Sequence, residues 1–142
     1  MPAIKFNIVT LLLLVFLSFN SPSLYAQSCP IQGGAVAFKS GSELTTEIKN
    51  QLHSLAEDLR AFPDCRVVVQ GNGSTTKGVQ QLGWERATNI ITFLNDTENI
   101  SRDRLIIMIG GAGDDSEATY RAASDGETGP ASIPPPYPQS RH

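Results

Sequence analysis

Two uninterrupted apolar runs, Val67-Val68-Val69 and Leu105-Ile106-Ile107-Met108-Ile109, constrain this chain more than any other feature. A strand whose apolar residues do not alternate with polar ones is covered on both faces. Between the runs the chain turns at Gly71-Asn72-Gly73-Ser74. It then repeats apolar residues at Leu82, Ala87, Ile90, Ile91 and Leu94, which predicts a helix from about Val79 to Asn95. A strand, a helix and a second strand in that order make a crossover unit, right-handed by the sterics of strand twist.

The flanking sequence extends this unit. Ala35-Val36-Ala37-Phe38 reads as a short strand, and Leu44, Ile48, Leu52, Leu55, Leu59 and Phe62 form one apolar stripe on a helix over about Thr45 to Phe62. Thr45 or Thr46 caps that helix, Glu47 suits its positive end and Pro63 stops it. Glycines Gly110, Gly111 and Gly113 end the third strand, and Ala118 to Ala122 reads as a last strand at the sheet's edge. The fold class is therefore α+β: a β-α-β-α-β(-β) two-layer sandwich with a mixed sheet and two helices on one face.

Residues 1–26 read as an export signal, with Lys5, an apolar stretch from Ile8 to Phe19, and a small-residue end favouring cleavage after Ala26. The apolar stretch is shorter than the ~20 residues a spanning helix needs. An uncleaved anchor and lipidation of Cys29 are the alternatives. Residues 27–123 then read as one exported domain; a place in the periplasm or on the periplasmic face of the outer membrane is what the family resemblance described below implies. Two cysteines in an exported chain predict a disulfide, Cys29 to Cys65. Each precedes a strand, and the pairing is expected from starts ~4.8 Å apart if those strands are parallel neighbours.

Net charge is -3 with no Lys/Arg cluster, so no nucleic-acid partner is expected. From Ser124 the composition turns to Gly, Pro, Ser and Glu, ending Ile133-Pro134-Pro135-Pro136-Tyr137-Pro138. Residues 124–142 read as a Pro-rich disordered tail, or as a polyproline ligand for an envelope protein.

The chemistry of enzymes and cofactors finds no pattern. Gly71 to Gly78 lacks the spacing that sets a lysine over phosphates, no serine sits in a nucleophile elbow, and no Cys or His pair has metal-ligand spacing. His53 reads as a surface residue. The expectation is a non-enzyme with no cofactor and no metal.

Phe38 with Gly41-Ser42 and the Leu44 helix, the Gly71 turn, Leu82-x-x-x-Arg86-Ala87, and Arg102-Asp103-Arg104-Leu105 through Gly113 occur in an order that resembles the OmpA-like peptidoglycan-binding domain. The resemblance covers roughly residues 35 to 122. In that family the corresponding strand ends in Gly-His-Thr-Asp, and the Asp and the helix Arg grip the diaminopimelate of the peptide stem. A free amino-acid end carries a carboxylate and an ammonium, so its site needs a planar cation and an anion.

The resemblance implies non-covalent binding of peptidoglycan stem peptide, with Arg86 as the cation. Asn72, Gly73 and Ser74 replace His, Thr and Asp, and Ser74 donates to a carboxylate without neutralising an ammonium. Asp114, with Asp115 and Glu117, reads either as a substitute acid at the same sheet end or as a solvated cluster in a glycine loop. Trp84 is either a stacking surface or a core residue. The expected ligand-binding set is Arg86, Ser74, Asn72, Trp84 and Asp114. The other reading is a divergent copy serving as a structural or protein-interaction module of the envelope.

Overall fold

The computed structural model describes residues 28–73, 76–111 and 113–130. The chain forms β1 (Gly34–Ala37), α1 (Thr46–Ala61), β2 (Val67–Gly71) and α2 (Lys77–Thr92). A π-helical turn (Phe93–Thr97) and a 3-10 turn (Arg102–Arg104) lead to β3 (Leu105–Ile109) and β4 (Glu117–Ala122). The α+β class holds, with two helices against one mixed sheet.

α1 begins where Thr45 Oγ1 accepts a hydrogen bond from Ile48 N at 3.3 Å, filling one of the donors a helix start leaves open. Its stripe of Ile48, Leu52, Leu55 and Leu59 is buried. Phe62 is the exception at 42% exposure. It is the C-cap, with φ −123° and ψ 78°, so the chain has already left helical phase and turns that ring away from the stripe. Arg104 closes this end of the helix, donating to the carbonyls of Leu59, Phe62 and Cys65 at 2.7, 2.8 and 2.8 Å.

The sheet order is β1-β4-β2-β3. β2 and β3 are parallel, with Val67 to Gly71 opposite Leu105 to Ile109, as a crossover through α2 requires. β4 corrects the edge-strand expectation. It lies between β1 and β2 and is antiparallel to both. Its short, mixed sequence carries the signature of an exposed edge, but Ala118 is fully buried there. The small side chain suits a central strand under packed helices.

This order also corrects the geometry behind the disulfide while the bond itself stands. Cys29 and Cys65 are joined with Cα atoms 5.3 Å apart. β1 and β2 are not neighbours, and their starts are two strand spacings apart, ~10 Å. The lead-in before β1 spans that interval across the end of β4: Ile31 is buried, and a Cβ on Gly33 would stand 3.1 Å from the Tyr120 carbonyl oxygen.

Both faces of the central strands are covered. Val67, Val69, Leu105 and Ile107 join α1 and α2 in the core. Val68 and Ile106 point to the opposite face and are also buried. The composition change at Ser124 falls inside the described chain, and residues 124–130 are held to the sheet. Arg66 Nη1 donates to the Glu127 carbonyl at 2.8 Å, Arg121 pairs with the Glu127 carboxylate at 2.5 Å, and Gly129 lies against Ile106.

Candidate functional site

The carboxyl ends of the parallel strands β2 and β3 carry the residues singled out in the sequence. Gly110 N donates to Gly71 O at 3.2 Å, Gln70 Nε2 donates to Gly110 O, and Gly73 bridges Gly111. α2 reaches this end through a contact that only glycines permit. A Cβ on Gly71 would lie 2.0 Å from the Gly83 carbonyl oxygen, and one on Gly83 would lie 2.4 Å from that of Asn72. The backbones touch, which sets how far α2 lies over the strand end and so where Arg86 sits.

Arg86 is 3% exposed. Its Nε donates to Gly41 O at 2.7 Å and its Nη1 to Asp115 O at 2.6 Å, and the guanidinium carbon lies 4.8 Å from the centre of the Phe38 ring. One side chain thus ties three elements together: the turn after β1, the loop between β3 and β4, and α2. Burial lowers its pKa from the usual guanidinium value and the Asp115 charge opposes that shift. A guanidinium so far above neutral pH stays a cation. Among the described residues it has no carboxylate in ion-pair contact, and Nη2 has no hydrogen-bond acceptor.

The other expected residues are distributed unevenly around it. Asn72 is 3% exposed, and its Nδ2 lacks a hydrogen-bond partner among the described residues. The amide is pressed on Gly113, where a Cβ would fall 2.3 Å from Nδ2. Asp114 is exposed and engaged in its own turn, accepting from Ser116 N at 2.8 Å and Ser116 Oγ at 2.6 Å. The Ser116 bonds hold its carboxyl below the usual range, so it is ionised. Ser74 lies outside the described residues. Trp84 is two residues from Arg86, roughly 200° around the helix. It faces Ile107 and Arg102 rather than the Arg86 crevice.

Sequence reasoning missed the residues that clasp the turn after β1. Asn89 Nδ2 donates to Ser42 O at 2.8 Å, and Ser42 Oγ lies 3.4 Å from Glu85 Oε2. Gln81 Nε2 also reaches Glu85, at 3.2 Å. The helical spacing of Gln81, Glu85 and Asn89 places them on one stripe, a readable signal; that the stripe meets Ser42 is a tertiary fact. Among the described residues no group of three His, Cys, Asp or Glu side chains could hold a metal ion.

No family model and no curated protein matches the sequence. Solved structures do share its fold. The OmpA-like domain of FopA1 from Francisella tularensis is 16% identical, over 65% of this chain and 75% of that one, with a TM-score of 0.50. The periplasmic domain of Helicobacter pylori MotB is 13% identical, over 66% of this chain and 78% of that one, also with a TM-score of 0.50. At these identities the likeness is one of architecture, and the architecture of this chain is that of an OmpA-like domain.

Proposed function

We propose that this chain is an exported OmpA-like module of the cell envelope that holds a peptidoglycan stem peptide non-covalently, with Arg86 as the carboxylate-binding group. The observation that carries the reading is the buried charge of Arg86, which makes no ion pair among the described residues. A guanidinium removed from water without such a pair is costly, the Asp115 charge offsets that cost only in part, and a ligand carboxylate on Nη2 would offset more of it. Asp114 and Asp115 supply the negative charge an ammonium needs at the same sheet end, where ligands of open α/β sheets collect.

A second reading has its own support. Nε and Nη1 of Arg86 are already committed to the backbone carbonyls of Gly41 and Asp115. An arginine so engaged is a latch, and the domain is then a structural or protein-interaction module of the envelope.

Calorimetric titration of the oxidised protein with a diaminopimelate-containing stem peptide separates the two. Saturable binding that is lost in an Arg86→Ala variant still melting cooperatively supports peptide binding. A folded parent protein that binds no peptide rules it out in favour of the latch.

A further inference from the structure

His53, on the outer side of α1, is fixed through one of its two ring nitrogens. Nδ1 lies 2.9 and 3.1 Å from Glu98 Oε1 and Oε2. Glu98 follows the π-helical turn, and its side chain is only 10% exposed. The same carboxylate accepts from Arg60 Nη2 at 2.7 Å, and Arg60 also donates to the Glu98 carbonyl at 2.7 Å. A carboxylate paired with arginine accepts hydrogen bonds and donates none, so the proton between it and the ring belongs to Nδ1. In the neutral imidazole the other nitrogen, Nε2, then carries a bare lone pair.

What Nε2 faces is a second acceptor. Glu57 Oε1 stands one helical turn along at 3.8 Å, beyond hydrogen-bond distance. Arg60 Nη1 holds that oxygen at 2.7 Å and leaves it a second lone pair. Both side chains are well exposed, so two acceptors converge on one point open to solvent. Zinc ligands at ~2.0–2.1 Å for nitrogen and ~2.0–2.2 Å for oxygen stand ~3.4 Å apart at a tetrahedral angle. The two side chains need to close by only ~0.4 Å to share an ion.

We propose that His53 Nε2 and Glu57 Oε1 form a surface site for a divalent transition cation of the zinc and copper class, with Glu98 as its positioning residue. A histidine whose other ring nitrogen donates to a carboxylate is held in the ligating tautomer and made more basic. An imidazole ligand favours such cations over magnesium and calcium. Water takes the remaining positions, so the site differs from the three-ligand groups that the described residues lack. Because His53 also reaches Glu98, beyond the end of α2, a bound ion ties α1 to that segment and stabilises the folded state.

The chain has two histidines, His53 and His142, so the site can be assigned by substitution. The test is calorimetric titration of the untagged, oxidised protein with Zn²⁺ near neutral pH, with Mg²⁺ as the control ion. Saturable Zn²⁺ binding is expected, absent in His53→Gln, weakened in Glu57→Gln and unchanged in His142→Gln. Glu98→Gln should weaken it about 10–100-fold. Nitrogen NMR of the metal-free rings should show the proton of His53 on Nδ1, and its redistribution toward Nε2 in Glu98→Gln, a change that loss of packing alone does not produce. A folded parent that binds no Zn²⁺, binding that survives His53→Gln, or a His53 protonated on Nε2 in the parent would each overturn the proposal.

Discussion

Replacing Gly83 with alanine sets two opposite effects against each other. Alanine in a helix interior is favoured over glycine by ~0.8–1.0 kcal/mol, so by propensity alone Gly83→Ala stabilises α2. The structure predicts the reverse. The new Cβ would stand 2.4 Å from Asn72 O, 3.1 Å from Asn72 C and 3.3 Å from Gly71 C, all main-chain atoms. Ordinary contact begins at 3.4 Å, so helix and strand end must separate by about 1 Å. Overpacking of that kind costs ~1–3 kcal/mol, toward the top of the range when no side chain can swing aside. The net loss is about 1–2 kcal/mol, which lowers the melting temperature of a domain this size by about 5–15 °C. Gly78→Ala is the control, since a Cβ there meets nothing within 4 Å; it should gain ~0.4–1 kcal/mol. Thermal melts followed by circular dichroism check both. A Gly83→Ala protein melting at or above its parent would refute the backbone contact between α2 and the end of β2, and with it the placement of Arg86.

Three further outcomes are expected. The bridge between Cys29 and Cys65 spans a separation of 36 residues, worth about 4 kcal/mol of loop entropy, so reduction should lower the melting temperature by about 15–30 °C; coincident melts with and without reductant would contradict this. Arg104→Ala removes three bonds to carbonyls at the end of α1 and should cost ~2–4 kcal/mol in urea unfolding, a charged donor being worth more than a neutral one. Arg121, with the Ser124 backbone, lowers the Glu127 pKa to about 2, against an unfolded value of ~4.3. Because the folded pKa is the lower one, this stabilisation is present above the unfolded pKa and is lost as pH falls through about 2. Melts across that range should fall less steeply in Arg121→Gln, and parallel curves would remove Glu127 from the acid response.

Much of the core was legible because burial writes a period into sequence. The unbroken valines of β2 and the aliphatic run of β3 announced strands covered twice, and Val67, Val68 and Val69 are fully buried. The stripe of α1 and the crossover through α2 followed from the same reasoning. Phe62 broke the pattern because a cap residue leaves helical phase. The placement of the candidate residues was legible in part: Arg86, Asn72 and the loop carrying Asp114 lie at one sheet end, because parallel strands carry both loops to the same end. Trp84 does not join them, since two residues along a helix point away from each other.

By itself the sequence determined the elements, their burial and the chemical types at the loop ends, all properties of local spacing. It also named the disulfide, from two cysteines in an export context. What tertiary structure alone decided was adjacency. β4 entered between β1 and β2, the lead-in from Cys29 crossed its end, and Glu127 turned back under Arg66 and Arg121. Such pairings join residues far apart in the chain, and no local period records them. The same holds for Arg86: the family resemblance implied a ligand for it, but the carbonyls of Gly41 and Asp115 that it grips come from loops 45 and 29 positions away. Their approach depends on Gly71 and Gly83 having no side chains to keep helix and strand apart.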